Sequence, residues 1–287
     1  DINDQGVIVG SSLLAGPGTR AFRYSDGVMT NLGTLGRSYS TAAAISNSGQ
    51  IVGTTDLPDN FDLNAFLYEN EAMMALGSLS AGQSSGLGIN NLGQVVGGDF
   101  GYQEPAHAFI YANGQFTDLG TLGGLVSTGF DINDAGQVVG MSELENRSII
   151  HAFLYENGEM IDLGTLGGSM SLARAINESG QIVGFSQLAG DIDSRAFLFA
   201  EGVLHDLNDL IPDDSGWVLT DAHDINDSGQ IVGTGMRDGE SRAVLLNPVA
   251  VAGDPSWQFT WPEGGGSWIR EGNVFTNAEA GLVWTFS

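Results

Sequence analysis

The fold is decided by Ile132-Asn133-Asp134-Ala135-Gly136-Gln137-Val138-Val139-Gly140, a stretch that occurs six times in the chain with small changes. The other copies begin at Ile2, Ile45, Ile89, Ile176 and Ile225, so successive copies lie 43 to 49 residues apart. Such regular spacing predicts one supersecondary unit copied along the chain, with each copy too small to bury its own apolar face.

Each repeat carries four short runs that are typical of β-strands. Around Ile132 they are Thr128–Ile132, Gln137–Gly140, the Ala-Phe run Ala152–Tyr155, and Met160–Gly164. These runs favour β-branched and aromatic residues, and no window keeps apolar residues at helical spacing for three turns. Four antiparallel strands in about 44 residues are typical of one blade of a β-propeller.

Strand counting predicts an all-β, six-bladed β-propeller over residues 1–248, followed by a tail of β-strands over residues 249–287. The repeats supply six second and six third strands, but only five first and five fourth strands. We therefore expect strands from both chain ends to close the ring, and the tail is too short to favour a seventh blade. Because the chain starts inside a repeat, we expect a processed or trimmed product.

The Asn-Asp-x-Gly turns are typical of hairpin loops, because Asn and Asp bond their own backbone and Gly accepts a positive φ. Six turn asparagines could line one rim of the propeller as a ring of ligands. Turn formation explains them without any ligand and is the favoured interpretation. The six residues are Asn3, Asn47, Asn90, Asn133, Asn177 and Asn226.

The repeat resembles the HAF family of extracellular bacterial repeats, named for a His-Ala-Phe triplet. That triplet occurs at His107–Phe109 and His151–Phe153, and the accompanying Asp-Leu-Gly-Thr-Leu-Gly-Gly occurs at Asp118–Gly124 and Asp162–Gly168. The match covers residues 1–248, although other residues replace the histidine in the remaining repeats. The resemblance implies a secreted or surface-exposed repeat protein, with a periplasmic location left open, and brings no established enzymatic chemistry.

The net charge of −26 comes from 35 acidic and 9 basic residues. Nucleic acid is excluded as a partner because its phosphates would be repelled. The chain has no cysteine, and no apolar run approaches the ~20 residues needed to span a membrane. The acidic residues are interpreted mainly as a solvated coat. Calcium binding is a weaker alternative, because no known calcium loop motif occurs.

The fifth interval is longer than the others and carries Asp209–Trp217 as an inserted loop. Binding sites are often built on loops that depart from a rigid scaffold. Asp213, Asp214 and Asp224 are therefore the calcium candidates, and the first two could face Asp224 as the carboxylate pair of a carbohydrate-active enzyme. Trp217 is a candidate for contact with a glycan or a protein. Of the histidines, His107 and His151 favour strand-edge packing or a hydrogen bond over a shared metal.

The tail concentrates aromatic residues with the period-two spacing of β-strands. Three interpretations stay open: core packing as the strands complete the propeller, stacking on sugar rings, or addition of a tail strand to a neighbouring molecule. The contact candidates are Trp257, Trp261, Trp268, Trp284 and Phe286.

No catalytic residue set emerges from the repeats. We therefore expect a non-catalytic extracellular scaffold or adhesion module that acts through protein contacts, including self-assembly by tail-strand donation. A glycan-binding propeller is the alternative, and a carbohydrate-active enzyme is third. No cofactor is expected beyond the calcium hypothesis.

Overall fold

The computed structural model describes residues 1–13, 18–58, 62–80, 82–101, 105–191 and 193–249, together with the backbone of four short strands in the tail. Within this part the chain is all-β, with no α-helix and a single 3-10 turn, η1 (Leu207–Leu210). No described helix is long and apolar enough to cross a bilayer. Within each repeat, strands that follow one another in the sequence pair antiparallel.

The repeats form sheets of three or four strands in chain order. The first sheet holds β1 (Ile8–Leu13), β2 (Thr19–Ser25) and β3 (Val28–Gly33). The second holds β4 (Ser40–Ile45), β5 (Ile51–Asp56), β6 (Leu63–Glu69) and β7 (Ala72–Gly77). The third holds β8 (Gln83–Ile89), β9 (Val95–Phe100), β10 (His107–Ala112) and β11 (Gln115–Asp118).

Two further repeats are joined by one parallel bridge between Ile150 and Met170 and so count as one eight-stranded sheet. Their strands are β12 (Gly123–Ile132), β13 (Val138–Leu144), β14 (Ile150–Glu156), β15 (Glu159–Gly164), β16 (Gly167–Ile176), β17 (Ile182–Leu188), β18 (Ser194–Ala200) and β19 (Val203–Asp206). The last repeat holds β20 (Val218–Ile225), β21 (Ile231–Arg237), β22 (Glu240–Val249) and β23 (Gln258–Thr260). A separate tail sheet holds β24 (Trp268–Glu271), β25 (Val274–Asn277) and β26 (Leu282–Thr285).

The first strand of each complete repeat carries a β-bulge just before its isoleucine, as between Gly129 and Asp131 in β12. The bulge brings the Thr128 carbonyl oxygen so close to Gly140 on β13 that a Cβ at Gly140 would overlap it. Glycine is therefore required at this point by a close backbone approach. The same approach recurs at Gly53, Gly97, Gly184 and Gly233.

Five apolar clusters lie between consecutive repeats and form the core. In one of them Val52, Ala65 and Leu67 of the second repeat contact Val95 and Phe109 of the third. In the other four clusters the earlier repeat likewise offers a Val-Ala pair. In three of them the next repeat offers the phenylalanine of its Ala-Phe strand, and in the last one Val244 takes that position. Each sheet is thus stabilised mainly by the sheets before and after it.

In the described part of the chain, the two ends do not form the shared closing blade that strand counting predicts. The tail strand β23 pairs with β22, through Asn247 opposite Thr260, and supplies the fourth strand of the last repeat. Beside β1, Ile2 alone forms a bridge with Ile8 in place of a first strand. Within the described part of the chain, no tail strand pairs with β1.

Candidate functional site

The six Asn-containing turns surround one open depression of about 440 Å³. The turns of all six repeats line it, from Ile2-Asn3-Asp4 to Ile225-Asn226-Asp227. Each turn joins the first strand of a repeat to the second, so the turns mark one end of the molecule's central axis. We call this ring of turns the axial rim.

The first polar residue holds its own turn closed, and in four of the six turns it also reaches the next repeat. The Asn133 Oδ1 accepts the Gln137 N–H at 3.0 Å, and its Nδ2 donates to the Asn177 carbonyl oxygen at 3.2 Å. Asn3, Asn90 and Asn177 make equivalent bonds to their next repeats. One predicted member is misplaced by a residue, because Ser46, not Asn47, occupies this position in the second repeat.

From the second turn onward, the second polar residue of each turn accepts the N–H of the residue at the same position in the previous repeat. The Asn91 N–H donates to Asp134 at 2.7 Å, and the Glu178 N–H donates to Asp227 at 2.9 Å. This chain of bonds runs through Asp4, Asn47, Asn91, Asp134, Glu178 and Asp227. The rim's polar groups therefore stabilise the turns, and its carboxylates make the depression acidic.

Two aspartates lie next to the axial rim at the ends of their first strands. Asp131 accepts the Ile132 N–H at 2.8 Å and the Ile176 N–H at 2.9 Å. Burial raises the pKa of Asp131 to about 6 despite these bonds, with nearby carboxylates, Asp224 among them, adding to the rise. Burial likewise raises the pKa of Asp224. Both carboxylates accept hydrogen bonds from backbone N–H groups, which indicates a structural role.

The inserted loop does not bring its carboxylates to Asp224. Asp213 and Asp214 are exposed before the start of β20, whereas Asp224 stands near its other end, roughly 20 Å along the strand. Gly216 lies beside Arg237, which confirms that the loop is at the outer end. The three calcium candidates therefore do not converge, and the described residues hold no group of three or more metal-ligating side chains. The same distance removes the geometric basis for a paired-carboxylate enzyme at these residues.

Trp217 is half-buried and packs against the apolar cluster of the last repeats. The Arg237 guanidinium lies 5.6 Å from the centre of its ring, which is a cation–π contact. A sugar stacking on that face would have to displace Arg237. We therefore interpret the indole as packing the inserted loop onto the last repeats, and not as an open surface for stacking of a sugar ring.

The two repeat histidines each contact an aspartate on the neighbouring strand. The Nδ1 of His107 lies 2.9 Å from Asp118, and that of His151 lies 2.8 Å from Asp162. Each aspartate also accepts a glycine N–H of the following connection. The hydrogen bond favoured by the sequence is present, and it links the third and fourth strands of one sheet.

The tail candidates fall mostly beyond the described residues. Trp257, Trp261 and Phe286 lie outside them, and for Trp268 and Trp284 only the backbone is described. Trp268 stands opposite Asn277 and Trp284 opposite Phe275 in the tail sheet. Contact with a glycan or a partner through these residues stays a prediction.

The first and last repeats each expose an apolar face of the kind that is buried between neighbouring repeats elsewhere in the described chain. In the last repeat Val232 and Leu245 are 45% and 40% exposed, although their equivalents Val52 and Leu67 are buried. Ala243, two residues before Leu245 on the same face of β22, is also exposed. We call these three residues the terminal face.

The matching surface of the first repeat is uncovered too. Phe22 is half-buried, and Tyr24 and Met29 are 38% and 58% exposed, whereas Tyr68 and Met73 at the same positions in the second repeat pack against a core cluster. We call Phe22, Tyr24 and Met29 the initial face. Sequence reasoning noted the incomplete blade but missed these two apolar faces, which were detectable by comparing each repeat with its neighbours.

Solved structures similar to this chain are β-propellers or contain one. The β-propeller domain of the Trilobed protease from Pyrococcus furiosus is 11% identical, with a TM-score of 0.58 over 92% of this chain and 84% of that domain chain. An acylaminoacyl peptidase from Pyrococcus horikoshii is 12% identical, with a TM-score of 0.53 over 92% of this chain and 44% of that chain. TolB from Acinetobacter baumannii is 13% identical, with a TM-score of 0.51 over 83% of this chain and 63% of that chain. At these identities the likeness shows the fold alone: the chain has a β-propeller fold.

A family model described as "Protein of unknown function (DUF3466)" matches residues 125–252, which is less than half of the chain. Among curated protein sequences, none matches this chain. The family match lies within the region of the last three repeats and assigns no activity to them.

Proposed function

We propose that this chain is a non-catalytic propeller scaffold or adhesion module that acts through protein–protein contacts. The observation that supports this function is the pair of uncovered apolar faces, because exposed apolar surface of this kind marks protein interaction sites. The axial rim offers no comparable site, since its polar groups are used between repeats. The HAF resemblance supports a location outside the cell or at its surface.

We further propose that the six repeats form the six blades of one ring, whose seam lies between the first and last sheets. All six turns line a single axial depression, which supports this arrangement. The propeller domain of the Trilobed protease is described as having an open velcro topology. An open seam of that kind would leave this chain with a terminal face and an initial face to offer to partners.

Self-assembly follows from the same proposal. The terminal face has the valine, alanine and leucine that pack against the aromatic residues of the next repeat at two of the internal boundaries. Two copies could therefore associate by the contact that joins neighbouring repeats. Because β23 lies on β22 of its own chain, a donated tail strand would come from the residues that follow β23. This head-to-tail mode generates filaments unless the rotation closes a ring.

The test is sedimentation velocity of the untagged protein over a wide concentration range. The wild-type protein is expected to form larger species as concentration rises. The double variant Val232→Lys, Leu245→Lys should stay monomeric, because two buried ammonium groups would be left without partners at the contact. Leu92→Lys with Val203→Lys is the matched control, since both residues are exposed away from the terminal face and should leave assembly unchanged.

A wild-type protein that remains a monomer throughout, with no partner captured by its terminal face, would contradict the proposal. Assembly that is equally strong in the seam variant and the control variant would also contradict it. Glycan binding is then the next candidate. It would be tested with Trp217→Ala, because Trp217 is the one candidate tryptophan whose side chain lies within the described residues.

A further inference from the structure

A groove lies outside the axial rim, where the second repeat meets the third. Its volume is about 430 Å³. One wall holds Ser48 and Gln50 with the hairpin turn Glu69-Asn70 that follows β6, and the other holds Leu92. We call this groove the rim groove. It belongs to two complete four-stranded repeats.

Leu92 is the first residue at this groove that departs from the repeat. It occupies the third position of its Asn-containing turn, where the other five turns carry small or polar residues. Those residues are Gln5, Ser48, Ala135, Ser179 and Ser228. The Leu92 side chain is 70% exposed and adds nothing to a core cluster. A single exposed leucine is ordinary on a protein surface, so its meaning depends on the residues that share the groove.

Glu71 is the second departure, next to the groove residue Asn70. Asn70 and Glu71 have φ angles of 50° and 62°, the left-handed region that this two-residue hairpin turn requires. The other four described turns of this kind place glycine at the second position, as Gly27, Gly114, Gly158 and Gly202. Glutamate is less stable than glycine in this region, and such strain is often kept where a side chain serves a function.

The carboxylates at the rim groove are free to receive a cation. Glu69 is half-buried, and one of its oxygens accepts a hydrogen from the Gln50 Nε2 at 2.9 Å. Among the described residues, no group donates to its other oxygen or to Glu71, and no arginine forms an ion pair with either. The groove therefore joins an exposed apolar side chain to two carboxylates without a counter-ion.

The corresponding groove between two later repeats shows what distinguishes the rim groove. There Gln137 donates to Glu156 at 2.8 Å, the same hydrogen bond that holds Glu69. Serine replaces the leucine and glycine replaces the second glutamate, at Ser179 and Gly158. The Gln–Glu bond therefore recurs between repeats, whereas the leucine and the second glutamate occur together at no other repeat of the sequence.

We propose that the rim groove binds a segment of a basic partner protein in which an arginine or lysine stands beside an apolar residue. The cation would pair with Glu69 and Glu71, and the apolar side chain would cover Leu92. Charge complementarity favours such a partner, because the net charge of −26 attracts basic proteins and repels acidic ones. This inference goes beyond the proposed function, since the groove shares no residue with the terminal face or the initial face.

The test is an array of octapeptides that permutes arginine, glutamate, leucine and serine, probed with the whole protein. Peptides that hold both arginine and leucine are expected to bind best, and the strongest of them is titrated in solution by fluorescence anisotropy. Leu92→Ser should weaken its binding roughly tenfold, because a buried leucine contact is lost. Glu71→Gly should weaken it roughly threefold, which is typical of an exposed ion pair.

Both substitutions install residues that other repeats carry at these positions, so both variants should fold. The urea midpoint of Glu71→Gly should be at least that of the wild-type protein, because glycine suits the left-handed turn position. Weaker binding by this variant then does not come from a damaged fold. Glu156→Gln is the matched control, because it removes the carboxylate of the same Gln–Glu bond from a groove without leucine and should leave binding unchanged.

Binding that follows the number of arginines, with no effect of the peptide's leucine or of Leu92→Ser, would overturn the proposal, because the negative surface as a whole would then hold the peptides. Absence of binding to every peptide would overturn it as well. Loss of assembly in Leu92→Ser, without peptide binding, would assign the groove to a second copy of the chain instead. Raised sodium chloride should weaken peptide binding but strengthen assembly through the terminal face, so the two proposals fail separately.

Discussion

A single glycine per repeat sets how closely two strands approach. Gly140 has the bulged Thr128 carbonyl against it, whereas Gly10 faces an open edge. The sequence alone predicts glycine-rich turns and strands, but both glycines look identical in it. Only the contact with a bulged neighbouring strand distinguishes them, and a local sequence pattern does not show that contact.

Gly140 and Gly10 give a prediction for the cost of adding a Cβ at each position. Gly140→Ala should lower the free energy of unfolding by about 3 kcal/mol, because a Cβ there forces two strands apart. Gly10→Ala should change it by no more than about 1 kcal/mol, because only the Phe22 ring must move. Urea denaturation of both variants measures the difference. Equal costs would contradict the interpretation that the bulged carbonyl oxygen, which lies against Gly140 and not against Gly10, sets the cost.

Asp131 gives a prediction for pH. Its pKa of about 6 in the folded protein lies above the ordinary value, so the folded state binds the proton more tightly than the unfolded state. Its contribution to stability is therefore complete at low pH and is lost as pH rises from about 4 to about 6. Asp131→Ala should flatten this part of the stability profile.

The next repeat shows that alanine is tolerated at the position of Asp131. Ala175 occupies the same position in the next repeat, so alanine fits the local backbone. Asp134→Ala is the control, because it removes a neighbouring carboxylate of the axial rim and leaves Asp131 in place, so the slope between pH 4 and 6 should stay intact. An Asp131→Ala profile parallel to the wild-type profile would show that another group titrates there.

At the scale of the element, the turn and the strand pair were predictable and the links between repeats were not. The sequence places Asn133 in a hairpin turn, and the structure confirms it. The second bond of Asn133, to the Asn177 carbonyl oxygen, joins residues 44 positions apart and has no local signal. The sequence also did not show how far Asp224 lies from the inserted loop. That distance depends on the whole of β20 being extended between them.

Asn133 and Asn226 allow a measurement of how much the bond between repeats contributes to the free energy of unfolding. Both close their own turns, but Asn133 is buried and also bonds the next repeat, whereas Asn226 is exposed. Asn133→Ala should cost about 2 to 3 kcal/mol and Asn226→Ala about 1 kcal/mol. Thermal or urea unfolding of the two variants provides the comparison. A larger cost at Asn226 would contradict the account of the rim as a series of inter-repeat links.

At the scale of the whole molecule, the six repeats form a series with five internal interfaces and two uncovered ends. The repeat length and the count of strands predicted the propeller fold. The tail was expected to supply a missing strand, and β23 does so beside β22, but the strand count did not show which sheet it would join. Strand counting gives the number of missing strands, but the partner of each strand depends on tertiary contacts that the period does not encode.

Charge and assembly should be coupled. The net charge of −26 makes two copies repel each other, and this repulsion is screened by salt. Association through the apolar terminal face should therefore strengthen as sodium chloride is raised. Sedimentation at low and high ionic strength measures the effect. Weaker association at high salt would indicate a contact made by ion pairs instead.

The central claim is that the repeats form a six-bladed ring that joins other molecules at its seam. Electron microscopy of the untagged chain, beside a version ending at Val249, tests it most directly. The account predicts particles with six blades that associate seam to seam in the full chain. The shorter version should keep contacts made by the two apolar faces and lose those made by a donated tail strand. Isolated closed rings in both samples, or seven blades in either, would contradict it.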